Sequence, residues 1–430
     1  MARVTAIRPE NTFLSSAPFA SALATSSIGL GMLAVPIHNT IGWAGLVAIL
    51  ALQVLLCVLS AWARRETLDR TALLPISLLV FAGWATISIF WSQYQWATVG
   101  SLAYLFAFSL LGVYIALLRD TIQVIRAYGN VIRFVLAGSL ILEVVSGLLI
   151  DSPIRFLGIA GNLEHGGPIS GLLANRNDLA LLAVIGAVSF VIEWRTRSIQ
   201  RGWAIGSLVL AVLTLILTRS SIGWGTAFVA VFVLGVLYVI RRVNPARRHF
   251  WQFGVGGLAV LGAVLAWVLR TPIITALSAT GELNYRLTIA REVVTLFRLH
   301  PLEGWGWIGE WHSNIAPYSL IGTGTGRPST SAVDAYLDVL FQLGLVGLAL
   351  FIGMAGLAFV RSWLLASRQR SVVYTWPAVV LASLLTSSLA ESGILMEFGW
   401  MTLVVCCVLA SQKLSWRRAF QRALEPENLD

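Results

Sequence analysis

The stretch His300-Pro-Leu-Glu-Gly-Trp-Gly-Trp307, with Val333-Asp-Ala-Tyr-Leu-Asp-Val-Leu-Phe-Gln-Leu-Gly-Leu-Val-Gly347 behind it, sets how this chain is read. The first part is polar and rich in glycine and tryptophan. The second starts polar and runs into an apolar segment. Together they close a long polar insertion, residues 270–332, in a chain that otherwise alternates apolar runs with short loops. Polar backbone at membrane depth survives only inside protein or against a wet cavity, so such an insertion is where aqueous chemistry is expected.

Beyond this stretch, the composition fixes the class. Of the 430 residues, 57% are hydrophobic and only 12% charged, with a mean hydropathy of +0.80. A soluble domain carries about 25% charged residues. The chain is therefore expected to be an all-α integral membrane protein, a single polytopic domain over residues 1–430. Apolar runs of bilayer length give about twelve spans. They cover 13–37, 41–63, 72–91, 96–118, 134–150, 178–194, 202–218, 221–240, 250–269, 333–360, 372–390 and 392–411. The run to Ile37 is too long for a cleaved signal peptide and reads as an uncleaved first span.

With the N-terminus in the cytoplasm, most basic residues fall in inner loops, as the positive-inside bias requires. These loops hold Arg3 and Arg8; Arg64, Arg65 and Arg70; Arg119, Arg126 and Arg133; Arg195, Arg197 and Arg201. Further along come Arg241, Arg242, Arg247 and Arg248; Arg361, Arg368 and Arg370; and Lys413, Arg417, Arg418 and Arg422. Both termini are then cytoplasmic, and loop 270–332 lies outside, before the tenth span. The net charge of +10 is thus a topological signal, and no nucleic-acid partner is expected. Arg119, Arg126 and Arg133 recur at seven-residue spacing, which predicts an interfacial helix with guanidinium groups among lipid headgroups. Cys57, Cys406 and Cys407 all sit in apolar spans, so neither a disulfide framework nor a metal site is indicated, and no cofactor is expected.

The arginines left outside are Arg155, Arg176, Arg219, Arg270, Arg286, Arg291, Arg298 and Arg327, and they defy the topological bias. Arg219 sits where spans seven and eight turn with almost no loop, flanked by Thr218, Ser220 and Ser221. Snorkelling to headgroups is one reading; a place in an anion site at the outer helix ends is the other. Arg286 opens an amphipathic helix in which Leu287, Ala290, Val294 and Phe297 recur at helical spacing. It could lie on the membrane surface, or turn Arg286 inward beside Arg219. Arg176 sits in Asn175-Arg-Asn-Asp178, at a helix N-terminus whose donors and dipole favour anions. There Asn175, Asn177 or Asp178 can serve simply as caps.

In the long loop, Trp305 and Trp307 offer sugar-stacking platforms or an interfacial belt, and Gly304, Gly306 and Gly309 allow tight turns. His312 and Glu310 are candidate bases. Asp334 and Asp338 lie one turn apart at the start of the tenth span. Asp334 can be a helix cap, while Asp338 lies deeper, where an ionisable group is a functional candidate. Glu143, Glu391 and Glu397 carry the same label at lower weight.

Four of these patterns together resemble the O-antigen ligase/polymerase family of bacterial membrane glycosyltransferases. They are Gly171-Leu-Leu-Ala-Asn-Arg-Asn-Asp-Leu-Ala, Leu217-Thr-Arg-Ser, Arg286 through Trp307, and Tyr336-Leu-Asp-Val-Leu-Phe-Gln-Leu-Gly-Leu-Val-Gly. The resemblance implies a multi-pass protein of the bacterial cytoplasmic (inner) membrane with its active site facing the periplasm or exterior. Its substrates would be an undecaprenyl-diphosphate-linked oligosaccharide and a glycan acceptor. Arg219 and Arg286 match the family's donor-diphosphate arginines. Ligase members carry a His-Asn pair where this chain has Val333 and Asp334. That passes the base role to Asp334 or His312, or marks a polymerase branch.

The combined expectation is a metal-independent, inverting glycosyltransferase, with polymerase favoured over O-antigen ligase. Asp334 and His312 are its candidate catalytic residues, and Arg219, Arg286 and Arg176 would bind the diphosphate. Trp305, Trp307, Tyr336 and Asp338 are candidate glycan contacts. A transporter of lipid-linked glycan is the alternative from another class.

Overall fold

The computed structural model describes residues 13–65, 75–243, 280–312, 314–322 and 329–413, with Gly254 and Gly257. The expected ninth span, 250–269, and Arg270 and Arg327 fall outside the described residues. Twenty-residue apolar runs have one way to satisfy their backbone in lipid, and the described chain is accordingly helical. In chain order the helices are α1 (Ala17–Met32), α2 (Ala34–Ala63), α3 (Ile76–Ile87), α4 (Gln95–Leu118), α5 (Thr121–Val144) and α6 (Arg176–Arg195). There follow α7 (Arg201–Thr218), α8 (Ser221–Arg242), α9 (Thr280–Phe297), α10 (Ala335–Arg368), α11 (Thr375–Ser387) and α12 (Glu397–Lys413).

Among the described residues seven helices are long and apolar enough to cross a membrane: α2, α4, α5 extended to Ile150, α6, α7, α8 and α10. Three shorter apolar helices, Ile76–Phe90, Val372–Ser387 and Glu397–Gln412, accompany them. The bundle centre is apolar, and several of its polar atoms are answered across helices. The Trp376 indole donates to Ser189 Oγ (2.9 Å), the Trp400 indole to Ser109 Oγ (2.7 Å), and Tyr128 pairs with Thr402 (3.1 Å).

Two expectations are corrected here. Residues 119–133 do not form a separate interfacial helix, because α5 runs unbroken from Thr121 to Val144. The reason is a counter-charge on another helix. Arg133 ion-pairs with Glu193 of α6, donates to Ser207 of α7 (2.7 Å) and stacks over Phe190 (4.5 Å). The amphipathic helix exists as α9, but the face it buries is Ile289 and Val293, with Tyr285 and Leu296 packed beside them. Leu287, placed on the inner face by its spacing, is exposed.

The Gly-Trp-Gly stretch needs its glycines. α10 breaks at Gly344, which adopts φ +69°, freeing backbone groups on both sides of the kink. Loop 300–306 answers them strand-like. Trp305 N donates to Phe341 O (3.1 Å) and Gly306 N to Gln342 O (2.8 Å), while Leu345 N donates to Pro301 O (2.9 Å). A Cβ on Gly344 would lie 2.1 Å from Leu302 O, and one on Gly304 2.6 Å from Gln342 O. Both positions therefore admit only glycine. Indoles from elsewhere complete the clasp: Trp84 donates to Leu343 O (3.0 Å) and Trp91 to Glu303 O (3.1 Å). These bonds fix the loop on the kinked helix.

Candidate functional site

The site is built where several helix ends meet. Asn175 is the N-cap of α6, its side chain accepting from Asn177 N at 2.9 Å. That cap aims Asn177 outward from the first turn. Its Nδ2 donates to Glu391 Oε1 at 2.6 Å, and its Oδ1 accepts from Ser220 Oγ at 2.7 Å. Ser220 caps α8 through Gly223 N (2.9 Å) and follows Arg219, which ends α7 in the left-handed region at φ +46°. The two-residue turn thus binds Ser220 into the network and leaves the exposed Arg219 side chain beside Gly166, where a Cβ would stand 2.9 Å from Nη2.

From α9, Arg286 reaches the same place. Its Nη2 ion-pairs with Glu391 Oε1 at 2.9 Å, and its Nη1 donates to Val333 O (2.9 Å) and to Ala390 O. The two side chains are 16% and 13% exposed, so the pair sits at a partly dry surface rather than in the core. Val333 holds φ +55°, a conformation costly for a β-branched residue, and presents its carbonyl to Arg286. Such outliers persist where surrounding contacts over-determine them, often at functional sites.

Asp334 next in sequence is the N-cap of α10, Oδ1 accepting from Tyr336 N (2.8 Å) and Leu337 N (3.1 Å). Capping therefore accounts for one carboxylate oxygen and leaves the other to be assigned. Burial holds this carboxyl above the ordinary aspartate range, against the pull of its two backbone donors and of Arg286. Arg176 takes the first position of α6, one residue from each of the two asparagines.

Other expected contacts are already committed. Asp338 is 2% exposed and accepts from the Trp311 indole and Gln342 Nε2, both at 2.8 Å. It is a buried brace, not a surface glycan contact, because an unpaired carboxylate there would carry the full cost of desolvation. Trp307 is 1% exposed, set edge-on to Phe81, and lines a chamber shared with His312. The Tyr336 hydroxyl donates to Leu385 O (3.1 Å) and its ring meets Phe351, so it too is held in the packing. Trp305 is half-buried, donating to Leu296 O (3.3 Å) and packing edge-on against His300. Glu143 pairs with no arginine among the described residues. It is fully buried and accepts from Gly161 N, Ser170 N and Gly171 N, at 3.2, 3.0 and 3.0 Å, which anchors loop 158–171 under Arg219.

His312 lies apart from the arginine network, on a chamber of about 350 Å³ between α2, α4 and α12. Glu310 and Glu397 line the chamber as well, and Glu397 accepts from the Tyr104 hydroxyl at 2.8 Å.

The network contains Ser220, Arg286 and the Val333 carbonyl, with Arg219 and Asp334 next to them in sequence, all within one stretch of the chain. A sequence model of the O-antigen ligase family matches residues 206–352. That part of the chain is similar to an O-antigen ligase domain. The match encloses Arg219, Arg286 and Asp334, while Arg176, Asn177 and Glu391 join it from outside. No curated protein matches the chain. This similarity, with the apolar helices around the matched region, supports a multi-pass membrane protein of O-antigen-type glycan handling. Glu391 is the residue that sequence reasoning underrated. Its signal was an acidic side chain at the seam of two apolar runs.

Proposed function

We propose that the protein is a glycan polymerase of the O-antigen ligase/polymerase family, spanning the membrane about twelve times with both termini in the cytoplasm. It transfers glycan from an undecaprenyl-diphosphate-linked donor to a sugar hydroxyl at the outer face. Arg219 and Arg286, with Arg176 at the helix N-terminus, hold the leaving diphosphate and neutralise the charge that develops on it. Asp334 takes the proton from the incoming hydroxyl through its uncommitted oxygen, and the acceptor oxygen displaces the diphosphate at the anomeric carbon. A single displacement inverts that carbon, and fixed guanidinium charges serve in place of a divalent ion. Trp305, the half-buried indole of the loop, contacts the glycan.

The observation that carries this reading is the chain Ser220–Asn177–Glu391–Arg286, which ties four separate elements to one point through bonds of 2.6–2.9 Å. A carboxylate already occupies Arg286, so an anion with more charge and more oxygens can exchange with it. Guanidinium forks favour diphosphate in that exchange.

The matched description, O-antigen ligase, favours a second reading in which the acceptor is lipid A-core or another non-identical molecule. Incubating purified protein with undecaprenyl-diphosphate oligosaccharide alone separates the two. A ladder of products is the polymerase outcome. Product only after a second acceptor is supplied is the ligase outcome. Movement of labelled lipid across vesicles without glycosidic bond formation would sink both in favour of transport.

A further inference from the structure

The opposite end of the bundle holds a polar pocket of about 620 Å³ that the glycan reading does not use. Its wall includes Arg64 after α2, Arg119 and Asp120 between α4 and α5, Gln123 of α5, Tyr374 before α11 and Gln412 of α12. Leu117 and Val373 give it an apolar flank. Pockets of this size accept a small organic ligand.

Its charges are unevenly answered. Elsewhere at this end, Arg241 donates to the carbonyls of Gln369 (2.9 Å) and Arg370, and so is satisfied by the chain itself. Arg119 is different: its Nε is buried and has no hydrogen-bond partner among the described residues. Leaving a buried guanidinium donor unmade is costly. Burial first, then the neighbouring Arg64, pull the Arg119 pKa down, so both the desolvation and the like charge act against its charged form. Asp120 is the acidic group of the wall, and it stands exposed at the rim, its backbone N donating to Gln123 Oε1 at 3.4 Å. Gln412 is oriented by its bond to Ala116 O (2.9 Å). Among the described residues of the wall, Arg64 and Arg119 are the cations and Asp120 is the carboxylate.

We propose that this pocket is an anion site in which Arg64 and Arg119 hold the phosphate of an acidic phospholipid headgroup. Gln123, Tyr374 and Gln412 line the space beside these two arginines. The apolar flank suits the start of an acyl chain, which a free phosphate would not use. Basic pockets among helix ends are suited to such headgroups. The assignment is independent of the glycan reading, since none of its residues belongs to the arginine network around Glu391.

The test is lipid retention by the full-length protein, purified in detergent and measured by native mass spectrometry. Phosphatidylglycerol should be retained over phosphatidylcholine, and Arg119→Gln should cut that retention about fivefold. Arg119→Lys, which keeps the charge and the fold but loses the fork, should fall between. Arg241→Gln, at the same end but satisfied by carbonyls, should leave retention unchanged. Equal retention of the two lipids, or equal phosphatidylglycerol retention in Arg119→Gln and the unmodified protein, overturns the proposal. Thermal stabilisation by inorganic phosphate equal to that by phosphatidylglycerol overturns the lipid as the source of the anion.

Discussion

Two arginine–glutamate pairs among the described residues are opposites. Arg133 and Glu193 meet between spanning helices, with Glu193 fully buried. Phe190 covers the guanidinium, Ser207 and Asn130 take its remaining donors, and a Cβ on Gly129 would stand 2.6 Å from Glu193 Oε1. The Glu193 carboxylate is closed off from solvent. Arg286 and Glu391 meet at a junction of helix ends, both partly exposed, ringed by two backbone carbonyls and two asparagine amides. The same two side-chain types thus make a strut in one place and an exchangeable counter-ion in the other. What differs is whether the shell around the pair leaves room for a ligand.

Removing the site arginines should separate the two pairs most clearly. Arg286→Ala and Arg219→Ala should each lower kcat/KM by on the order of a thousandfold, the scale of deleting a group that meets developing charge. Arg219 is exposed, so its variant should melt like the unmodified protein. Radiolabelled polymer yield, normalised to protein extracted from membranes, is the measurement. Near-normal yield in either variant ends the diphosphate assignment.

The internal pair should respond in stability instead. Glu193→Gln leaves Arg133 charged in a dry shell, which costs at least about 3 kcal/mol when a buried pair is broken. The expected result is a lower melting temperature with the donor KM unchanged in the protein that remains folded. A changed KM with unchanged stability would mean the strut is coupled to the site.

Much of this division was legible in the sequence, and the rest was not, for a physical reason. Arg219 and Arg286 stood out because each violates a local rule: charge in a turn with no loop, and charge outside the cytoplasmic loops. The Gly-Trp-Gly stretch promised turns, and the kink at Gly344 gave those turns their partner. Arg133 was misread as a headgroup contact because Glu193 neutralises it from sixty residues away (Arg133 Nη2 to Glu193 Oε2). Pairing across helices leaves no local trace. The partners of Asp338 were hidden for the same reason, since Trp311 and Gln342 reach it only once the loop has folded back. Glu391 was visible as an acid between apolar runs, but its partners Asn177 and Arg286 come from distant elements.

Asp334 lies beside the exchangeable pair and tests what that pair is for. Asparagine caps a helix about as well as aspartate, so Asp334→Asn preserves α10 while removing the base. Activity should fall about a hundredfold or more, as expected for loss of a general base, with little change in melting temperature. The pH dependence has a definite sign. Burial raises this carboxyl, so it protonates at a higher pH than an ordinary aspartate, and activity should begin to fall there as pH drops. A carboxyl whose folded pKa is raised makes folding more favourable as pH falls through that window, so the loss cannot be assigned to unfolding of this cap. An acid limb that persists unchanged in Asp334→Asn would move the base elsewhere, with His312→Ala as the next variant to measure.

The mildest substitution tests the exchange itself. Glu391→Gln keeps an oxygen for Arg286 Nη2 and Asn177 Nδ2, whose bonds to Glu391 are 2.9 and 2.6 Å, but removes the negative charge that a diphosphate must displace. If Glu391 is only a resident counter-ion, the donor then meets an arginine with no competitor. The donor KM should fall about threefold, the size of one partly solvated charge contact, and kcat should stay level. Steady-state kinetics at fixed ionic strength reads the difference, and raising the salt should shrink it because the contact is partly screened. A hundredfold loss of kcat at constant KM would instead make Glu391 a participant in proton transfer. The pair would then be machinery in its own right, and Asp334 would be left as the cap its two backbone bonds already describe.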